Sequence, residues 1–142
     1  MQLSQRLELL VRLQAYMLGN DEQWQAAKEK AYMKNGWFIP QFIELAAKNI
    51  ATHLLSRNIL QQLVARYNIP NERSPLTVGI VMPGNIPMAG FYDFLCTFLA
   101  GHKQRIKLSS TDDVLLKHIV EQMGRWNAAV HELVLFDEML KG

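Results

Sequence analysis

Cysteine is nearly missing from this chain. Cys96 stands alone among 142 residues, so no disulfide can close within it, and a reducing cytoplasm is the expected setting. An excess of one charge is missing too: 15 Lys and Arg face 13 Asp and Glu, for a net charge of +2. No basic run exceeds the mixed KEK at 28–30, which leaves no electrostatic footprint for nucleic acid. Nor is there a long apolar run. The most apolar stretch, 86–101, falls short of the ~18 residues that cross a bilayer and carries Asp93 inside it, so no membrane span is expected. At the N-terminus, Arg6 and Glu8 sit within an amphipathic pattern and not in the uninterrupted apolar segment of a secretory leader. Internal repeats and low-complexity tracts are absent as well.

What is present is the composition of one globular domain, with 49% apolar and 20% charged residues. Its hydrophobic period changes near residue 75. From 2 to 68 the pattern is helical. Leu3, Leu7, Leu10, Val11 and Leu18 form one stripe; Gly19-Asn20 ends that helix and Asp21 caps the next, which runs to Asn35-Gly36. A third helix starts at Pro40, whose missing N–H costs nothing in a first turn, and presents Phe42, Ile43, Ala46, Ala47, Ile50 and Leu54 as its apolar face. A fourth holds Ile59, Leu60, Leu63 and Val64 and stops before Pro70. The stretch PNERSP at 70–75 reads as a turn or linker.

Beyond it, TVGIVM (77–82), QRIKLS (104–109) and HELVLF (131–136) read as strands, separated by helical patterns at 87–100 and 112–124. Their spacing matches strand–helix–strand units with right-handed crossovers. VGIVM is apolar at nearly every position, as expected of a parallel strand covered on both faces. The fold expected is therefore α/β: a helical N-terminal segment (1–70) followed by a βαβαβ parallel-sheet unit (76–142). FDEMLKG follows the third strand with no closing helix, so the sheet looks truncated, or else needs a partner, and some association between copies is expected.

Ligands of open parallel sheets bind beyond the carboxyl ends of the strands. Two loops stand there, MPGNIP (82–87) and LSSTDD (108–113). In the first, Gly84 permits a tight approach, Pro87 pre-sets a helical turn, and Asn85 could cap that helix through its side-chain oxygen. The other end of the same carboxamide could instead donate N–H to an oxygen that develops negative charge. Neither Gly-x-Gly-x-x-Gly nor a Walker loop is present, so a pyrophosphate cradle is not indicated. In the second loop, Ser110 and Asp113 have capping-box spacing, and Lys107 either snorkels to solvent or aims its ammonium at a ligand. Residue chemistry leaves both pairs of alternatives open.

The stretch VGIVMPGNIPMAGFYDFLCTFLAGHKQRIKLSS resembles the start of the cofactor domain in the aldehyde dehydrogenase superfamily. There a strand runs into a Pro-x-Asn-x-Pro turn, then a helix, then a strand ending in Lys-Pro-Ser-Glu. The variant GNIP…FLCTFLAGHK…KLSS, with WFIPQFI at 37–43 opening an earlier helix, is most similar to acyl-CoA reductases of the LuxC type, and only to their front portion. The resemblance implies reduction of a fatty acyl-CoA to an aldehyde through a cysteine thioester, in the cytoplasm. It implies that Asn85 is half of the oxyanion hole, and that Val81, Met82, Pro83 and Gly84 lie along the nicotinamide dinucleotide. Lys107, Ser109 and Ser110 would hold its adenosine end. Ser110 stands where NAD-preferring members often carry Glu, so NADPH is the implied cofactor and acyl-CoA the partner molecule. Gly84 departs from the frequent aromatic before the Asn, and Leu108 from the Pro after the Lys.

The family's nucleophilic cysteine belongs to a downstream domain, so the resemblance implies that this chain is inactive alone. Cys96, in mid-helix, is expected to be a packing residue, and His118 with Glu121 are expected on the surface with no metal between them. Asp93 is out of place on an apolar helix unless it bonds a neighbouring loop. The competing readings are a non-catalytic nucleotide-binding module, an assembly module whose helices bind a partner, and another superfamily member such as a coenzyme-A-acylating aldehyde dehydrogenase.

Overall fold

The computed structural model describes residues 1–138. Four helices lead: α1 (Leu3–Leu18), α2 (Glu22–Lys34), α3 (Pro40–His53) and α4 (Arg57–Arg66). β1 (Thr77–Val81), α5 (Phe91–Ala100), β2 (Lys103–Lys107), α6 (Leu115–Trp126), α7 (Val130–Leu133) and β3 (Val134–Phe136) follow. The chain is thus mixed α/β, and the last four positions of the expected 76–142 unit lie outside the described residues.

Local chemistry accounts for most helix ends. The Asp21 carboxylate accepts from the backbone N–H of Gln23 at 2.8 Å and of Trp24 at 3.3 Å, which satisfies two donors that open α2. Ser56 does the same for Ile59 at α4, and Pro40 stands in the first turn of α3. The stripe of α1 buries Leu9, Leu10, Leu13 and Met17, and α3 buries Ile43, Ala47, Ile50 and Ala51. Phe42 departs from expectation: it faces outward, as does Leu45. One apolar cluster runs from α1 through α3 and α5 to α6, so the helical segment and the α/β unit share a core.

Buried Arg6 ties the two together. Its Nε donates to the Leu99 carbonyl at the end of α5 and its Nη1 to the Met1 carbonyl. Gly101 closes α5 at φ +86, and a Cβ there would come within 2.9 Å of the Arg6 guanidinium. Only glycine meets both demands.

The three strands are parallel in the order β1-β2-β3, with Ile80 beside Ile106 and Ile106 beside Phe136. Contrary to expectation, only one face of this sheet is covered. Ile80, Gln104, Ile106 and Val134 are buried, whereas Gly79, Arg105 and Leu135, neighbours across the strands, are exposed, and Val81 is 66% exposed. The strand order steps in a single direction, so successive right-handed crossovers put their helices on the same side.

Boundaries also differ: β1 ends at Val81 and β2 runs from Lys103 to Lys107, where strands over 77–82 and 104–109 were expected. α5 begins at Phe91, not 87, because residues 87–90 form a turn that ends with the Phe91 N–H on the Met88 carbonyl. α6 begins at Leu115, not 112, with no side-chain cap. The third strand is Val134–Phe136 only. Asn127 ends α6, accepts from the Ala129 N–H through its side chain and starts a turn into α7, which consumes 130–133.

Candidate functional site

The carboxyl ends of β1 and β2 lie side by side. Val81 pairs with Lys107, and the Met82 N–H donates to the Lys107 carbonyl at 2.9 Å. The two loops singled out in the sequence therefore leave the sheet together. They touch at Gly84, where an added Cβ would come within 2.1 Å of Ser109 Oγ and 2.2 Å of Thr111 Oγ1. A side chain at 84 would require Ser109 and Thr111 to move.

Two hydrogen bonds clamp the first loop on either side of Asn85. Thr111 Oγ1 donates to the Gly84 carbonyl at 3.0 Å, and the Met88 N–H donates to Asp112 Oδ2 at 2.6 Å. Met88 adopts φ +55, a left-handed conformation that costs a non-glycine residue on the order of 1 kcal/mol. Asp112 is 8% exposed, and its other oxygen, Oδ1, has no donor among the described residues. Burial pushes its carboxyl up to about 6, against the pull of the Met88 N–H, with the neighbouring Asp113 adding to the rise. Asp112 was not singled out in the sequence; its only signal was a second Asp in LSSTDD with no capping duty left to perform.

Asn85 itself is exposed and caps nothing, since α5 starts six positions later with Gly90 as its N-cap residue. Pro87 likewise lies before the helix and not in its first turn. Asn85 lines a mostly apolar pocket of about 440 Å³ together with Trp37, Phe38, Phe42, Leu45, Ile86 and Pro87 and with a second asparagine, Asn49. Trp37 is 87% exposed, and Phe42, Leu45 and Ile86 are exposed with it. The outward face of α3, which the helical period did not reveal, supplies one wall of this pocket.

Of the remaining site residues, Met82 is buried against Gly90, Pro83 and Ser110 are exposed, and Lys107 and Ser109 are half-buried. Ser109 Oγ is 2.8 Å from Thr111 Oγ1 and accepts from the Thr111 N–H, so its hydroxyl serves the loop. Lys107 makes no ion pair with a described residue. Ser110 and Asp113 do not form a capping box; Asp113 pairs with Lys34 at 2.6 Å.

Cys96 is half-buried in α5, and burial raises its thiol pKa against the hydrogen bond from Tyr92, the opposite of what a nucleophile needs. Asp93 bonds no loop. It lies exposed in the first turn of α5, where a carboxylate complements the helix dipole. Glu121 is exposed as expected, and His118 is half-buried at the wall of a cleft between α2 and α6: its Nε2 lies 2.7 Å from the Tyr16 hydroxyl, and its ring stacks on Tyr16 and Trp24. Burial lowers its pKa. Among the described residues no three His, Cys, Asp or Glu side chains come together as metal ligands.

The cleft between α2 and α6, larger at about 500 Å³, is lined by Lys30, Lys34, Lys117 and Arg125 together with Asp113 and Glu121, so it borders the second loop through Asp113. Among the described residues no helix is long and apolar enough to cross a membrane. No family model matches the chain, and no curated protein or solved structure matches it.

Proposed function

We infer that this chain forms the cofactor and oxyanion side of an NADPH-dependent acyl-CoA reductase site. The observation that carries the reading is the apolar pocket beside Asn85. A volume of about 440 Å³, apolar walls and two carboxamide residues in the lining, Asn49 and Asn85, suit a fatty acyl chain whose carbonyl ends at Asn85. The alternative duty of Asn85, capping α5, is removed by where that helix starts.

The residues at the strand ends also fit a 2′-phosphorylated dinucleotide. Lys107 holds an ammonium in no described ion pair, and Ser110 offers an exposed hydroxyl. Of the two carboxylates nearby, Asp113 is offset by its pair with Lys34, and Asp112 is buried with its Oδ2 on the Met88 N–H. NADPH, when bound, supplies the hydride that takes the acyl carbon to the aldehyde level.

When a thiolate attacks the thioester carbonyl, the carbon–oxygen π pair moves onto oxygen, and the Asn85 N–H donates to that oxyanion. Collapse returns the pair and expels coenzyme A, leaving the acyl group on sulfur. The same N–H serves the oxyanion of the thiohemiacetal, which collapses to aldehyde and frees the thiolate. The thiolate comes from outside this chain in this scheme, because Cys96 is held as a thiol within α5. One oxyanion donor contributes about 3 kcal/mol. In the enzyme containing this chain, Asn85→Ala is therefore expected to lower acyl-CoA-dependent NADPH oxidation by roughly a hundredfold with NADPH affinity unchanged. Unaltered turnover in that variant would overturn the assignment.

The same exposed patch of Trp37, Phe42, Leu45 and Ile86 supports a second reading, an assembly module that docks another protein there. That reading predicts no affinity for NADPH or acyl-CoA.

A further inference from the structure

We propose that Asp112 is a positioning residue for Asn85, and that with Thr111 it fixes the turn from both sides through the end of α2. This rests on the reading of Asn85 as the oxyanion donor; the geometry behind it does not. Gly84 and Met88 bracket Asn85 at a distance of one and three residues, and each is held by its own bond from the second loop. Between those two anchors the chain makes no backbone hydrogen bond of its own. Met88 sits in a left-handed conformation that the surroundings must impose, and the bond from its N–H to the buried Asp112 carboxylate is the directional contact that does so.

The second loop is anchored in turn. Lys34 grips Asp113, and Asn35 Nδ2 donates to the Thr111 carbonyl at 3.0 Å. Asn35 Oδ1 also accepts from the Trp37 N–H at 3.1 Å. One side chain at the end of α2 therefore ties the loop that clamps Asn85 to the aromatic wall of the pocket. The carboxamide and the wall are set in register by the helical segment.

The clamp responds to protonation. Asp112 lines a small pocket with Met82, Met88, Phe91, Leu108 and Leu116, none of them charged, and among the described residues the charge that acts on it is Asp113, itself paired with Lys34. Protonating Asp112 weakens its bond to the Met88 N–H, which loosens one of the two anchors.

The test uses this chain labelled with nitrogen-15. In the wild type, the Met88 backbone amide and the Asn85 side-chain amide are expected to shift together with a midpoint near pH 6. Asp112→Asn, which keeps an acceptor of the same shape, should abolish the titration and leave the Asn85 resonances close to their neutral-pH positions. Asp112→Ala should move them, and Thr111→Val should move them in combination with it further than either change does alone. A Met88 amide that titrates while the Asn85 amide stays fixed, in the wild type and in Asp112→Ala, would overturn the proposal. If the amides move together but Asn85→Ala leaves turnover intact, the clamp stands and the oxyanion reading falls.

Discussion

At the scale of single residues, the site depends on groups whose type is dictated by close approach or by burial. Gly84 is one, because two hydroxyl-bearing side chains occupy the place of its Cβ. Asp112 is another, and its burial has a consequence for stability. A carboxyl whose folded pKa lies near 6, above the ordinary 3.8, binds its proton more tightly in the folded state. Its contribution therefore favours folding at low pH and is lost as pH rises through about 6. His118 and His102, whose pKa values burial lowers, act in the opposite sense, losing stability as pH falls. The difference between wild type and Asp112→Asn at each pH cancels the histidine terms. The unfolding free energy of the wild type relative to Asp112→Asn is expected to rise by up to about 3 kcal/mol as pH falls from about 7 to about 4. Denaturant titrations across that range measure it, and a difference that does not vary with pH would show that Asp112 is not a desolvated acid.

At the scale of elements, what could be read from the sequence was governed by local chemistry. Asp21 and Pro40 set the start of α2 and α3, and the Gly19 and Asn35 backbone N–H groups close α1 and α2 on carbonyls of their last turns. Asp21→Ala is expected to cost about 1 kcal/mol, measured by urea unfolding, through the two N–H groups it leaves without an acceptor. Where tertiary contacts decide, the sequence misled. Ser110 and Asp113 have the spacing of a capping box, yet Lys34 on α2 draws Asp113 away. Asn85 and Pro87 have the chemistry of a helix start, yet the bond from Met88 to Asp112, far along the chain, turns the backbone left-handed and delays α5 to Phe91. Phe42 and Leu45 extend the apolar period of α3 but face the pocket and not the core. The two strand-end loops were legible as a site; the clamp between them and the aromatic wall beside them were not, since the clamp is made by contacts between segments more than twenty residues apart and the wall by residues before and on α3.

At the scale of the whole molecule, the helical segment is part of the structure that carries the site. Arg6 joins α1 to α5, Tyr16 joins α1 to His118 on α6, and the apolar cluster passes through both portions. Residues 1–138 are accordingly expected to unfold as one cooperative unit: circular dichroism and tryptophan fluorescence should report coincident transitions. Two separated transitions would divide the helices from the sheet. Cutting into the shared core should be felt everywhere, and Leu10→Ala, at a fully buried position, is expected to cost about 2–5 kcal/mol in both probes alike.

The most direct test of the site is a fluorescence titration of the chain with a long-chain acyl-CoA below its micellar concentration, with free coenzyme A as the control. Trp24 is buried and Trp126 half-buried, so Trp37, at the pocket wall, is the tryptophan most open to water. Burial of Trp37 by an acyl chain should shift its emission to the blue, in proportion to acyl-CoA bound, with no shift on adding free coenzyme A and none in Trp37→Phe. Emission that long-chain acyl-CoA leaves unchanged would contradict the acyl pocket beside Asn85, and with it the reductase reading.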